Sequence, residues 1–130
     1  MLSYQIEPRR SETNATGHID HAVIPVWFEN ARSPIYELFN PGLSFRTWNT
    51  VIRKMDIEYL GQIFHDKNTV VRTSVGNIRD TSFEIIQELW QESKLTATAT
   101  TVIVHFDYDA KTKITIPGPV KEKLSLLQKP

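Results

Sequence analysis

The 130-residue chain contains no cysteine, which excludes disulfides, thiolate nucleophiles and Cys-ligated metal sites. It also lacks an excess of charge of either sign, since 15 Lys and Arg balance 15 Asp and Glu. Proteins that bind nucleic acid usually carry a basic excess or stripe, so we expect no nucleic-acid partner. No stretch approaches the roughly eighteen apolar residues of a transmembrane helix, and the first residues, MLSYQIEPRR, lack the apolar run of a signal peptide. We therefore expect a soluble cytoplasmic protein with no membrane partner.

What the chain does contain is enough apolar surface for a core. Apolar residues make up 40% of the sequence, and the aromatic residues comprise 3 Trp, 4 Tyr and 6 Phe. This composition argues against disorder, and the length is typical of one domain. Glycine and proline are sparse, and no repeat or linker is evident. We predict a single domain over 1–130.

One long helical pattern covers about 21–39, where apolar residues recur at three- and four-residue spacings. Asp20 is suited to cap this helix, and Pro25 is tolerated because it falls in the first turn. Pro34 is expected to kink or break the helix after Ser33.

The second half of the chain has the pattern of a sheet. Four long segments rich in β-branched and aromatic residues are predicted strands, joined by short polar breaks that favour antiparallel hairpins: 51–60, 69–79, 82–92 and 95–107. Residues 2–10 are a further strand candidate, and a short helix is expected at about 118–127. The order indicates an α+β domain. Since one helix cannot cover both faces of such a sheet, we expect a second copy of the chain to cover or extend it.

Polar side chains capable of chemistry concentrate in 12–32. A loop that leads into a helix start leaves unpaired backbone N–H groups, which can stabilise a carbonyl oxygen as it becomes negative. His21 and Glu29 are eight residues apart, about two turns, which places them on roughly the same helix face. We expect Glu29 to be partly buried there, and burial would raise its pKa towards the acid–base range.

Other interpretations of these residues remain open. Glu29 can pair with Arg32 or Arg53, His21 can serve only the helix cap, and Asn14 is often simply a turn residue. His18, Asp20 and His21 resemble metal ligands, but ligands within four residues of one loop rarely close a site alone, so no metal is expected. Trp27 and Phe28 suit a core or a subunit contact as well as a substrate-binding surface.

The segment SETNATGHIDHA (11–22), followed by WFENAR (27–32), resembles the hotdog-fold acyl-CoA thioesterases, specifically the 4-hydroxybenzoyl-CoA thioesterase-like branch. The resemblance extends over about 4–127. It implies one long central helix packed on a curved antiparallel sheet of about five strands, assembled as a homodimer or a dimer of dimers. It also implies hydrolysis of an acyl-CoA or acyl-carrier-protein thioester to free acid and thiol, without a cofactor.

The resemblance assigns catalytic roles to Asn14, His21 and Glu29. Asn14 stands where the family has a catalytic Asp, and an amide cannot act as a nucleophile or base. The base for water would then be Glu29 or His21, or else Glu12 or Asp20.

Substrate-binding roles are expected for Gly17 in the loop, Ala22 at the oxyanion position, and Trp27 and Tyr59 along the acyl chain. The alternative function is a non-catalytic module that binds CoA or an acyl thioester. A hydratase or dehydratase on the same fold ranks last, since no second motif supports it.

Overall fold

The structure is a computed structural model that describes residues 1–129. Its strands are β1 (Leu2–Ile6), β2 (Thr50–Tyr59), β3 (Thr69–Ile78), β4 (Ser82–Gln91), β5 (Lys94–Asp107) and β6 (Thr112–Lys113). Its helices are α1 (Ile24–Ala31), α2 (Ser33–Phe39) and α3 (Gly118–Ser125). Short 3-10 turns occupy Arg10–Glu12, His21–Val23 and Phe45–Thr47. None of the helices within residues 1–129 has the length and hydrophobicity that a membrane-spanning helix needs.

The strands form one curled antiparallel sheet in the order β1-β3-β4-β5-β2, with the short β6 beside β5. Along β4 the side chains alternate between buried and half-buried, as a strand covered on one face and partly covered on the other requires. The α+β class and the antiparallel sheet predicted from the sequence are therefore confirmed.

The segment predicted as helical over 21–39 is not one continuous helix, because it forms a 3-10 turn and two helices. The break expected from Pro34 is present, but it lies at Arg32 rather than after Ser33. Pro34 has no N–H to donate, and the backbone turns at Arg32, whose N–H donates to the carbonyl oxygen of Glu29 at 3.1 Å. The carbonyl oxygen of Phe28 instead accepts from Nε2 of Gln87 on β4, at 2.9 Å. A side chain of the sheet thus satisfies the backbone where the helix breaks.

Both helices pack on the same face of the sheet. One core cluster joins α1 to residues of β1, β3, β4 and β5, and a second joins α2 and α3 to other positions along β3, β4 and β5. The largest fully buried side chains on α1 and α2 are Ile24, Phe28 and Ile35. This packing fixes the position of the turn that precedes α1.

The strand β2 forms an open edge of the sheet. It pairs only with β5 within the described residues, and most of its side chains are exposed, including Ile52 at 44% and Tyr59 at 44%. A long edge strand with unpaired N–H and C=O groups is a template for pairing with another chain. The fold therefore leaves a pairing surface beside the helices.

Candidate functional site

The loop before α1 is held by its own backbone and by the segment after β2. The N–H of Asn14 donates to the carbonyl oxygen of His18 at 2.9 Å, and the N–H of Gly17 donates to that of Asn14 at 3.0 Å. Gly17 has φ +84°, a left-handed conformation that favours glycine. The N–H of Ile19 donates to the carbonyl oxygen of Ile63 at 2.7 Å, which anchors the loop to the segment after β2.

The side chain of Asn14 belongs to this loop through its oxygen. Oδ1 accepts from the backbone N–H of Thr16 at 3.0 Å and also from the Thr16 hydroxyl. This is the Asx-turn arrangement in which Asn and Asp are equally suitable. The amide nitrogen has no hydrogen-bond partner among the described residues, so it is the atom of Asn14 that is free towards a ligand.

Asp20 and His21 form a pair at the start of the 3-10 turn His21–Val23. Nδ1 of His21 lies 3.0 Å from Oδ1 of Asp20, and the imidazole is 79% exposed. A proton on Nδ1 donated to the carboxylate leaves Nε2 as an acceptor. The pair can therefore present a basic nitrogen to the solvent side of the turn.

Tyr59, the last residue of β2, supports the same turn. Its hydroxyl donates to the carbonyl oxygen of His21 at 3.0 Å, and the two rings meet edge to face at 6.3 Å. Partial burial, and secondarily the carboxylate of Asp20, raise the pKa of Tyr59 above its ordinary value of 10.0. The phenol therefore stays a donor through neutral and mildly alkaline pH.

Backbone N–H groups at the start of the turn are the candidate oxyanion donors. The N–H of Ala22 makes a long bond of 3.4 Å to Oδ1 of Asp20, and that of Val23 donates to the carbonyl oxygen of Asp20 at 3.0 Å. The N–H of His21 has no acceptor within residues 1–129. The His21 N–H is thus the freest donor, and the N–H of Ala22 is only weakly engaged.

A cavity of about 230 Å³ brings three of the expected site residues together, Asn14, His21 and Tyr59. It is also lined by Thr16, His18, Ile19, Ile24, Gly61, Gln62 and Ile63. Gly17 and Ala22 are in the adjacent loop and turn but do not line it. No lining residue is a carboxylate, so within one chain the cavity offers only imidazoles as bases.

Glu29 lies elsewhere. Its side chain is exposed, so the expected partial burial is wrong for the single chain. Glu29 lines a separate cavity of about 320 Å³ beside the start of β2. Trp27 is buried in the core at 4% exposure, and its indole N–H donates to Oε2 of Glu12 at 3.1 Å. The roles expected for Glu29 and Trp27 remain predictions.

His18 also lines the cavity, although the sequence had suggested it only as a possible metal ligand. Nδ1 of His18 lies 3.0 Å from the Thr16 hydroxyl, and its ring meets that of Phe64 edge to face at 5.2 Å. The position of His18 directly after Gly17 was the available signal. Within residues 1–129 no group of three or more His, Asp or Glu residues is arranged to hold a metal ion.

Comparison with known proteins assigns the chain to a family. Residues 8–124 match the thioesterase-like superfamily. A structure described as a predicted thioesterase from Bacillus stearothermophilus is 35% identical, with a TM-score of 0.96 over 98% of this chain and 96% of that one.

More distant structures share the fold. A thioesterase from Thermus thermophilus, complexed with coenzyme A and Zn, is 17% identical, with a TM-score of 0.85 over 95% of this chain and 96% of that one. A 1,4-dihydroxy-2-naphthoyl-CoA thioesterase from Synechocystis is 15% identical, with a TM-score of 0.82 over 99% and 98% of the two chains. No curated protein gives a significant match. The chain belongs to the thioesterase-like superfamily and has the hotdog fold.

Proposed function

We propose that the protein hydrolyses an acyl-CoA or acyl-carrier-protein thioester to free acid and thiol. The observation that carries the proposal is the cavity lined by Asn14, His21 and Tyr59 beside the 3-10 turn His21–Val23. The chain that holds this cavity is a member of the thioesterase-like superfamily. The related structures described as thioesterases, one of them holding coenzyme A, support the class of substrate.

His21 is the proposed base, and Asp20 is its positioning residue. Nε2 of His21 takes a proton from water as the water oxygen attacks the thioester carbonyl carbon. The N–H groups of His21 and Ala22, at the positive end of the helix, stabilise the resulting oxyanion. The tetrahedral intermediate collapses with cleavage of the C–S bond, and the thiolate takes the proton back from His21. The Asn14 amide nitrogen orients the water or the carbonyl.

Glu29 enters this site from a second subunit. The start of β2, at Thr50 and Val51, lines the Glu29 cavity, and the end of the same strand, at Tyr59, lines the His21 cavity. If two β2 strands pair antiparallel about a two-fold axis near their middle, the end of one lies beside the start of the other. The pairing therefore places the His21 cavity of one subunit next to Glu29 of the partner subunit.

This arrangement supplies what each single chain lacks. The His21 cavity has no carboxylate of its own, and the exposed carboxylate of Glu29 has no hydrogen-bond partner among the described residues. Glu29 of the partner subunit would hold the attacking water from the side opposite to His21. A homodimer, or a dimer of such dimers, is thus the proposed assembly, with two shared sites in each pair.

Thiol release from a panel of aliphatic and aromatic acyl-CoAs tests the function. Wild type should release thiol from at least one of them, and His21→Ala should lower kcat by about 10²–10⁴, the usual contribution of a general base. Asp20→Asn should cause a smaller loss, because it removes only the group that orients the imidazole. Full kcat in both His21→Ala and Glu29→Gln would contradict the assignment.

The second candidate is a non-catalytic module that binds CoA or an acyl thioester. One observation favours it: Asn14 places an amide where the family has a carboxylate. No residue that lines the cavity is a carboxylate. Calorimetric binding of CoA by wild type, with no thiol release from any thioester of the panel, would select this candidate.

A further inference from the structure

A second cleft, of about 280 Å³, adjoins the His21 cavity at the residues after β2. Gln62 lines both, so the two spaces are neighbours on the molecule. The second cleft lies between the segment that follows β2 and the hairpin that joins β4 to β5. Its lining includes two lysines, Lys67 and Lys94, and one carboxylate, Glu92.

Each lysine is held close to the His21 cavity through one intermediate residue. Nζ of Lys94 lies over Gly61, 3.4 Å from the position that a Cβ at that residue would occupy, and Gly61 lines the His21 cavity. Nζ of Lys67 lies 5.7 Å from the centroid of the Phe64 ring, and that ring contacts His18 of the same cavity. Neither lysine forms a salt bridge among residues 1–129.

A buried amide links the two walls of this cleft through hydrogen bonds. Oε1 of Gln91, on β4, accepts from the N–H of Phe64 at 2.9 Å, and its Nε2 donates to the carbonyl oxygen of Phe64 at 2.7 Å. The N–H of Glu92 donates to the carbonyl oxygen of Asn68 at 2.9 Å, which fastens the hairpin to the opposite wall. The two ammonium groups thus lie on walls that are hydrogen-bonded to each other, and no carboxylate is bound to either of them.

We propose that this cleft binds phosphate groups of the CoA nucleotide, so that CoA is the carrier whose thioesters the protein selects. The inference rests on the proposed function, since it assigns the carrier end of that substrate. With the thioester at His21, the pantetheine arm passes Gly61 and Gln62, and Lys67 and Lys94 neutralise the phosphates. Lysine binds phosphate as a point charge, and a partly exposed aromatic ring such as Phe64 suits the base or ribose.

The test compares one acyl group carried by CoA and by pantetheine, which lacks the nucleotide. We expect Lys67→Gln/Lys94→Gln to lower the preference for acyl-CoA, the ratio of the two kcat/KM values, by about tenfold through KM. Lys113→Gln/Lys123→Gln, a matched change of two exposed lysines that line none of the cavities described here, should leave the preference unchanged. An unchanged preference in the first variant would overturn the proposal.

A binding measurement separates this inference from the hydrolysis itself. Calorimetry with adenosine 3′,5′-bisphosphate should show binding to wild type, with a Kd raised about tenfold in Lys67→Gln/Lys94→Gln and unchanged in the control. If wild type hydrolyses no thioester, the proposed hydrolysis fails while this titration still decides the phosphate cleft. The assignment to CoA is wrong if an acyl-carrier-protein thioester is hydrolysed faster than acyl-CoA and its kcat/KM falls by the same factor in the lysine variant.

Discussion

Replacing Asn14 by Asp should raise thioesterase activity, because the loop already has the geometry that an aspartate needs. One oxygen of the new carboxylate keeps the bonds from the Thr16 N–H and hydroxyl that Oδ1 of Asn14 accepts now. The second oxygen takes the place of the free amide nitrogen, in the same cavity as His21. Asp and Asn are nearly isosteric, so the fold should survive.

The expected magnitude follows from what a positioned base contributes, about 10²–10⁴ in rate. The two hydrogen bonds from Thr16 favour the ionised carboxylate and weaken it as a base, which reduces the gain. We therefore expect a rise of at least about tenfold in kcat/KM, equivalent to about 1.4 kcal/mol of transition-state stabilisation.

The assay is thiol release from the best acyl-CoA of the panel, with Asn14→Ala and Asn77→Asp as controls. Asn77→Asp adds the same charge on β3 at a residue that lines none of the cavities described above, and it should leave kcat/KM unchanged. Asn14→Ala removes the Asx turn and should lower kcat/KM. An unchanged kcat/KM in Asn14→Asp would refute the reasoning, because it would mean that the position is remote from the reacting carbonyl.

Two further predictions concern the supports of the site. Tyr59→Phe removes the bond to the His21 carbonyl oxygen and should lower the free energy of unfolding by about 0.5–1 kcal/mol. Because the folded-state pKa of Tyr59 is raised, this contribution is present below about pH 10 and is lost as the pH rises through the raised value. In urea titrations, the difference in unfolding free energy between the two proteins should therefore be smaller at about pH 11 than at about pH 8. Gln87→Leu should cost about 2–4 kcal/mol, because the buried Arg32 guanidinium loses an acceptor at 3.3 Å and the Phe28 carbonyl loses its donor. A Tm equal to that of wild type would contradict this.

The sheet was predictable because its signal is local. Along β4, Phe83, Ile85 and Leu89 fall on one face with Ile86 and Trp90 on the other, and the burial of these side chains follows that alternation. Side-chain direction in a strand depends only on the parity of the position, so the sequence contains the information directly. The motif from 11 to 32 identified the family for the same reason, since its residues are close in the chain.

The parts that were not predictable depend on contacts between distant segments. The break at Arg32 is completed by Gln87, 55 residues further along, and nothing in the local pattern indicates that this amide reaches the helix. The exposure of Glu29 depends on how far the sheet extends beside α1, and on whether a second chain covers it. His18 enters the cavity because the loop closes onto Ile63, a pairing across 44 residues.

The most direct test of a shared site is complementation between two inactive variants. His21→Ala and Glu29→Gln are purified separately, unfolded together and refolded as an equimolar mixture, and thiol release is compared with that of each variant alone. If each site uses His21 of one subunit and Glu29 of its partner, half of the dimers are mixed, and each of these has one intact site. The mixture should then recover about a quarter of the wild-type activity per chain. Activity of the mixture equal to the mean of the two variants would contradict the shared site.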